Sequence, residues 1–133
     1  MKRKQFLSIL GILPPLLLMC KTDAPATTTI INCTLIDEDN KPVEGEIFQI
    51  YGYQTKGISG VPTFNEFATT DKDGKFKYEK LIPFNTNLSY ISPSSSNKRY
   101  QFKDNGGLYT SLDAGLLLNM GQENTFNFKL LKK

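Results

Sequence analysis

The chain has 133 residues, with 16 Lys and Arg against 13 Asp and Glu, and it contains neither His nor Trp. This length suits one domain with one core, and the absence of His excludes Ser-His-Asp and Cys-His nucleophiles and any metal site that needs imidazole. Lys2, Arg3 and Lys4 supply the whole basic excess, because the remaining 13 basic residues balance the 13 acidic ones. We therefore expect no nucleic-acid partner, since phosphates attract a local excess of cations.

The first twenty residues have the order of a secretory signal, in which basic residues precede an apolar run. The run from Phe6 to Met19 contains Pro14 and Pro15 and is shorter than the roughly twenty residues of a membrane-spanning helix. It ends in Leu-Leu-Met-Cys, which resembles a bacterial lipobox, the signal whose cysteine is acylated and becomes the first residue of the mature protein. We predict that residues 1–20 are a lipoprotein signal peptide and lipobox, and that Cys20 carries the lipid anchor.

Two short segments after Cys20 bear on location. Lys-Thr-Asp at residues 21–23 partly resembles the export signal of Bacteroidota surface lipoproteins, which favours a lipid-anchored protein of the outer membrane, exposed at the surface. Ala-Pro-Ala at residues 24–26 has the small-residue pattern of ordinary signal cleavage, so a secreted or periplasmic protein is the alternative. Residues 21–28 lack apolar periodicity and are predicted to be a flexible tether with a reach of roughly 25 Å.

From Thr29 onward, short runs of aromatic and β-branched residues are bounded by Asn, Asp, Gly and Pro, which is typical of strands separated by turns. Strict alternation in Lys75–Lys80 and Thr125–Leu130 predicts strands with one buried face. Ala114–Met120 is ambiguous between a strand and a helical turn, and we interpret it as a strand. The other predicted strands are Ile31–Leu35, Glu46–Tyr53, Phe64–Thr70, Asn87–Ile91, Arg99–Lys103 and Leu108–Leu112.

This pattern predicts an all-β domain at residues 29–133, a single antiparallel sandwich of seven to eight strands. A closed barrel is the alternative, since alternation does not distinguish two facing sheets from one closed sheet. Cys33 shares a predicted buried face with Ile31 and Leu35, so we expect it to be an inert core thiol.

The aromatic residues supply the candidate binding site. Because the chain has no Trp, we expect five or more of seven rings to fill the core: Tyr51, Tyr53, Phe64, Phe67, Tyr90, Tyr100 and Tyr109. The best candidates for an exposed binding site are Tyr51, Tyr53 and Lys56. They begin a Gly-rich connection, residues 51–62, that is predicted to be too long for a tight hairpin, and long loops concentrate binding residues.

Two segments carry a family resemblance. In residues 35–45, LIDEDNKPVEG, a strand end precedes an acidic turn and Pro-Val, and in residues 68–78, ATTDKDGKFKY, Asp-Lys-Asp-Gly opens a later strand. Together they resemble the carboxypeptidase regulatory-like domain, a transthyretin-like sandwich common in exported Bacteroidota proteins, over Ile30 to about Leu131. Asn40 stands where this family usually has Gly, and Asn also visits left-handed backbone conformations.

Turn chemistry explains the second motif without a ligand, because Asp71 can accept backbone hydrogen bonds and Gly74 can supply a positive φ. Calcium bound by Asp71 and Asp73, helped by Asp37 or Asp39, is the functional alternative. We expect neither metal nor cofactor. The resemblance also extends to two kinds of enzyme with this fold, hydroxyisourate hydrolase and the intradiol dioxygenases. Both rely on histidine, and because this chain has none, neither activity is expected here.

The sequence as a whole predicts a noncatalytic, membrane-anchored lipoprotein whose sandwich binds a protein or a glycan through its loops. The alternative is a structural or assembly component that pairs with a partner chain through an exposed strand edge. A two-carboxylate hydrolase would require two acids that face one pocket within about 10 Å.

Overall fold

The computed structural model describes residues 27–132, and its regular structure consists of nine strands. These are β1 (Thr28–Asp37), β2 (Ile47–Lys56), β3 (Ser59–Thr69), β4 (Lys75–Leu81), β5 (Leu88–Pro93), β6 (Arg99–Lys103), β7 (Tyr109–Ser111), β8 (Leu116–Leu117) and β9 (Glu123–Leu131). The predicted signal peptide, Cys20 and most of the predicted tether lie outside the described residues. Residues 27–132 include no helix that could cross a bilayer.

The nine strands form two sheets. One has five strands in the order β4-β1-β9-β6-β7, and the other has four in the order β3-β2-β5-β8. This arrangement confirms the β-sandwich, and the barrel alternative is wrong. The central pair β1 and β9 is parallel, with Ile30 opposite Glu123, whereas the other pairs are antiparallel. A parallel pair needs a long crossover, and here the entire chain between the first and last strands provides it.

The eighth strand is shorter than predicted. Only Leu116–Leu117 of the predicted Ala114–Met120 strand pairs with β5 as a ladder. The backbone N–H of Leu118 still donates to Ser89 O at 2.8 Å, but the next N–H, of Asn119, donates to Asn124 Oδ1 at 2.8 Å. The buried Asn124 side chain therefore draws the chain out of the sheet.

Alternate residues of β1 point inward and form one side of the core. Ile31, Cys33 and Leu35 are buried, with between 0 and 2% of their surface exposed. The prediction that Cys33 is a core residue is confirmed. Burial raises the pKa of its thiol well above the ordinary value, and a protonated thiol is a poor nucleophile.

Phe48 of β2 joins the two sheets. Its side chain is fully buried, and its ring lies among three rings of the opposite sheet. The centroid distances are 4.9 Å to Phe128 of β9, 5.5 Å to Phe76 of β4 and 6.3 Å to Tyr100 of β6. These tilted and edge-on arrangements are the ones that aromatic quadrupoles favour, so one ring of the four-stranded sheet fixes three strands of the other.

Two polar clusters also connect the sheets. In each, a glutamate in or next to the four-stranded sheet accepts hydrogen bonds from a tyrosine of the five-stranded sheet and from a lysine in or next to that sheet. Glu66 accepts from Tyr78 Oη and, at 2.7 Å, from Lys80 Nζ. Glu46 accepts from Tyr100 Oη at 2.8 Å and from Lys98 Nζ at 2.5 Å.

Three turns share one hydrogen-bonding pattern. The Oδ1 atoms of Asp37, Asp71 and Asp104 each accept backbone N–H groups from the residues two and four positions later, at 2.8 to 3.0 Å. The residue three positions later has a positive φ of 62° at Asn40, 72° at Gly74 and 83° at Gly107. The predicted roles of Asp71 and Gly74, and the left-handed conformation expected of Asn40, are confirmed.

The two motif segments meet at Gly74. A Cβ added there would lie 2.4 Å from the Leu35 carbonyl oxygen, 3.1 Å from Pro42 Cβ and 3.1 Å from Val43 N. The Gly74 carbonyl accepts the Leu35 N–H at 2.7 Å, and the Leu35 carbonyl accepts the Val43 N–H at 3.1 Å. The close approach of three backbone segments therefore requires glycine.

Replacing Gly74 by Ala tests this junction. A left-handed alanine costs about 1–2 kcal/mol, and overpacking against backbone adds about 1–3 kcal/mol. Gly107→Ala is the matched control, because Gly107 has φ 83° and open space around its Cβ position. We expect Gly74→Ala to lower the free energy of unfolding in urea distinctly more than Gly107→Ala; equal losses would contradict the close contact.

The Glu66 cluster predicts an acid dependence of stability. The hydrogen bond from Lys80, and to a lesser extent the one from Tyr78, lower the pKa of Glu66 below its ordinary value of 4.5. A carboxyl whose pKa is lower in the folded state stabilises the protein above its unfolded-state pKa, and this contribution is lost as the pH falls through the folded-state pKa. The side chain is 43% exposed, so solvent screening limits the effect to below about 1 kcal/mol.

We expect Glu66→Gln to flatten the decline of stability between pH 5 and the low-pH limit of folding. Tyr78→Phe removes one of the two donors and should give an intermediate dependence. Urea unfolding at a series of pH values measures the effect, and identical profiles for wild type and Glu66→Gln would exclude it.

Candidate functional site

The solvent-facing side of the four-stranded sheet carries a row of tyrosines. Along β2, Phe48 and Ile50 point into the core, so strand alternation directs Tyr51 and Tyr53 outward. Tyr90 of β5 is the direct cross-strand partner of Tyr51. Three tyrosine side chains therefore lie side by side on the outer face, which we call the tyrosine face (Tyr51, Tyr53 and Tyr90).

Contacts among the rings hold the tyrosine face in one arrangement. The rings of Tyr51 and Tyr90 are stacked, with centroids 5.6 Å apart and an interplanar angle of 26°. Tyr53 meets Tyr51 edge-on at 5.8 Å and 83°. The cross-strand pair Tyr51–Tyr90 contributes roughly 0.2–1 kcal/mol, so contacts within the protein favour this arrangement of the rings without a ligand.

Gly115 allows Tyr51 to lie flat across β5. A Cβ at Gly115 would come within 2.5 Å of the Tyr51 hydroxyl oxygen, so a side chain at this position would displace the ring. Burial, together with the adjacent Tyr53 and Tyr90, raises the pKa of Tyr51. The phenol therefore remains protonated at neutral pH and can donate a hydrogen bond.

A groove of about 300 Å³ lies beside the tyrosine face, toward β3. Its lining consists of Gln49, Tyr51, Gly52, Tyr53, Pro62, Phe64 and Asn65. Gln49 Nε2 donates to Asn65 Oδ1 at 2.9 Å, which leaves the second N–H of Gln49 and both N–H groups of Asn65 as donors. Aromatic walls with a few fixed polar groups are typical of small-ligand sites.

The prediction that residues 51–62 form a long loop is wrong. β2 continues to Lys56, β3 begins at Ser59, and a two-residue turn joins them, in which Gly57 has φ 64°. Left-handed glycine suits such a tight hairpin, and the extra residue of the Gly-rich segment is absorbed by a bulge opposite Gly52 and Tyr53. Backbone pairing over these residues outweighs the low strand propensity of their glycines.

The structure brings together two of the three predicted binding residues. Tyr51 and Tyr53 share the tyrosine face. Lys56 is the exposed last residue of β2, and strand alternation directs it to the opposite side. Binding by these residues stays a prediction, and their position on a sheet rather than in a loop is the correction.

The number of aromatic rings in the core is also lower than predicted. Of the seven named rings, Tyr100 is buried and Phe64 packs against the core cluster. Rings from both sheets occupy the outer faces instead: Tyr51, Tyr53, Phe67, Tyr90 and Tyr109. The core is filled by aliphatic residues of β1, β2 and β5 and by phenylalanines outside the named set, such as Phe48 and Phe128.

The aspartates of the predicted calcium alternative act in turns. Backbone N–H groups, chiefly those of Lys41 and Lys75, lower the pKa values of Asp37 and Asp71. Within residues 27–132, no three acidic or cysteine side chains lie close enough to hold a metal ion. The hydrogen bonds of these carboxylates are explained by the turns that they close.

Sequence reasoning missed Tyr90, Gln49 and Asn65 as members of this surface. Tyr90 was among the rings expected in the core. Gln49 and Asn65 come together through the register of β2 against β3, which the sequence does not reveal. The alternation Gln-x-Tyr-x-Tyr at residues 49–53 is the signal that could have placed one stripe of the surface.

Comparisons with known proteins identify the fold. No protein-family model and no curated protein matches the chain. Among solved structures, BcpA, the major pilin subunit of Bacillus cereus, superposes with a TM-score of 0.51 at 21% identity, over 80% of this chain and 31% of the pilin. The 3-chlorocatechol 1,2-dioxygenase of Rhodococcus opacus 1CP has a TM-score of 0.48 at 13% identity, over 85% of this chain and 63% of the enzyme.

Catechol 1,2-dioxygenase from Pseudomonas arvilla C-1 has a TM-score of 0.47 at 11% identity, over 84% of this chain and 54% of the enzyme. The chain thus spans less than two thirds of each of these three proteins. The likeness to the pilin concerns the fold alone. The described part of the chain is a β-sandwich of the immunoglobulin and transthyretin-like type.

Proposed function

We propose that this protein is a noncatalytic, lipid-anchored module of the bacterial cell envelope that binds a glycan through its tyrosine face. The observation that carries the proposal is the stacked, preordered set of Tyr51, Tyr53 and Tyr90 beside a groove with free amide donors. Sugar rings present C–H faces that stack on aromatic rings and hydroxyls that pair with amides. A protein partner is the other ligand class that the sequence leaves open.

Membrane anchorage rests on the order of residues 1–20. A basic start, an apolar run and Leu-Leu-Met-Cys favour acylation of Cys20. We place the anchored protein in the outer membrane, with its sandwich exposed at the cell surface. Secretion after residues 24–26 remains the alternative. Acyl chains would hold the sandwich near a surface and raise its effective concentration there.

We further infer that the sandwich belongs with the carboxypeptidase regulatory-like domains of Bacteroidota lipoproteins. The two motif segments that suggest this are adjacent in space, where Pro42 and Val43 contact Gly74. The two motifs therefore meet at one place in the fold, where the backbone at Gly74 lies against Leu35 and against Pro42 and Val43. The chain has no histidine, which supports a noncatalytic role among folds whose enzymes depend on it.

Assembly through a strand edge is less well supported than ligand binding. Of the four edge strands, β3 contains Pro62 and a bulge at Thr63 and directs Glu66 inward, and β4 exposes charged side chains along its outer face. At the opposite edges, β7 has 3 residues and β8 has 2. Proline, bulges, inward charges and short edges are the usual protections against edge-to-edge pairing.

Mass spectrometry of the protein extracted from membranes tests the anchor. We expect an acylated peptide that begins at Cys20, and we expect Cys20→Ser to move the protein out of the membrane fraction. An unmodified protein that begins at Thr27 would establish ordinary secretion instead.

A glycan array followed by calorimetry tests the tyrosine face. We expect Tyr53→Ala to weaken binding of the best glycan about fivefold, since loss of one ring that stacks on the sugar removes on the order of 1 kcal/mol. Tyr109→Ala is the matched control, because Tyr109 lies on the outer face of the other sheet beside Lys129. If Tyr53→Ala leaves the array profile unchanged, the tyrosine face is not the binding site.

A further inference from the structure

Two turns at one end of the sandwich carry large apolar side chains at their tips. Ile58 occupies the two-residue turn between β2 and β3, and Phe84 occupies the turn Pro83–Thr86 after β4. Both side chains are fully exposed, and Leu81 beside them is 56% exposed. The turns closed by Asp37 and Asp71 at the other end instead carry only Asp, Glu, Asn, Lys and Gly, which is the ordinary composition of solvated turns.

The two apolar tips are held together. Asn87 Oδ1 accepts the Thr55 N–H at 2.9 Å, and the Asn87 N–H donates to the Tyr53 carbonyl at 2.9 Å. The hydroxyls of Thr63 and Thr86 are 2.6 Å apart. The segment that presents Phe84 is thereby fastened to the hairpin that presents Ile58, and we call this surface the apolar end (Ile58, Leu81 and Phe84).

The chain enters the sandwich at the apolar end. Thr28, the first residue of β1, pairs with Leu81, the last residue of β4. Thr29 is fixed there as well, because its Oγ1 accepts the Gly121 N–H at 2.7 Å. The eight residues from Lys21 to Thr28 span about 25 Å when extended, so a lipid on Cys20 would keep this end, rather than the aspartate turns of the other end, close to the membrane.

We propose that the apolar end docks onto the lipid bilayer, with Ile58 and Phe84 inserted among the headgroups and first acyl carbons. This inference rests on the proposed lipid anchor at Cys20. Moving an exposed apolar side chain of this size out of water is favourable. Apolar groups that anchor a protein at a membrane interface are buried about 5–10 Å into the boundary between headgroups and acyl chains. Lys56, two residues before Ile58, can reach anionic headgroups while its methylene stem follows the apolar surface.

Docking through the apolar end determines the orientation of the sandwich. The strands then stand upright on the membrane, the turns of Asp37 and Asp71 point away from it, and the tyrosine face is directed sideways. A chain of sugars lying along the envelope could reach that face without displacing the protein.

Site-specific fluorescence on the protein as extracted from its native membranes tests this docking. Ile58→Cys and Phe84→Cys are each labelled with an environment-sensitive dye, and Lys72→Cys in the turn at the opposite end is the matched control. Cys33 is buried, and the proposed acylation blocks Cys20, so the dye reports on the introduced thiol; labelling of the protein without an introduced cysteine is the control. The proteins are reconstituted into vesicles of phosphatidylethanolamine and phosphatidylglycerol that carry a quencher on the acyl chain.

We expect a blue shift and quenching about fivefold stronger at positions 58 and 84 than at position 72, as interfacial insertion requires. Flotation of the vesicles separates the two proposals. If the protein floats but all three dyes remain in water, docking is wrong and the anchor stands. If the protein does not float, both the anchor and the docking are wrong. Shielding of positions 58 and 84 from aqueous iodide without lipid would show that a second protein copy covers the apolar end, which also overturns docking.

Discussion

The contact of Phe48 with Phe76, Tyr100 and Phe128 is the interaction on which the rest of the sandwich depends. It places one fully buried ring of the four-stranded sheet among rings from three strands of the other sheet. Burial of such a side chain contributes about 1.5–3 kcal/mol, and the ring geometry fixes how the two sheets are aligned. That alignment brings Glu66 to Tyr78 and Glu46 to Tyr100, so the polar connections between the sheets depend on the same packing of the aromatic core.

Once the core is set, the surfaces of the sandwich have different chemistry. The turns of Asp37 and Asp71 are closed by backbone hydrogen bonds to carboxylates, and they expose charged residues to water. The opposite end exposes Ile58 and Phe84, beside the residue where the chain enters. The outer face of the four-stranded sheet carries stacked tyrosines. A lipid anchor, a docked end and a lateral binding face are mutually consistent, because each uses a different part of the surface.

The sequence predicted the fold better than the candidate site. Alternation in Lys75–Lys80 and Thr125–Leu130 located β4 and β9 correctly, and the Asp-x-x-Gly pattern located the turn before β4. Residues 51–62 were misassigned because Gly52, Gly57 and Gly60 have low strand propensity. In the structure, hydrogen bonds to β3 and β5 stabilise these residues as strands. Tyr51 and Tyr53 were therefore named as binding residues of a loop, although they also end the predicted strand Glu46–Tyr53, and Tyr90 was counted among the rings expected in the core.

The sequence by itself determined the local features of this protein, namely which residues alternate, which aspartates close turns and where a left-handed backbone is needed. These depend on neighbours within a few positions, so spacing is enough to reveal them. Only the tertiary structure decided which aromatic rings face water, because each ring is buried or exposed according to the sheet that covers it. It also decided that Ile58 and Phe84, which are 26 positions apart in the chain, lie at the end where β1 begins, since strand pairing alone brings such distant turns together.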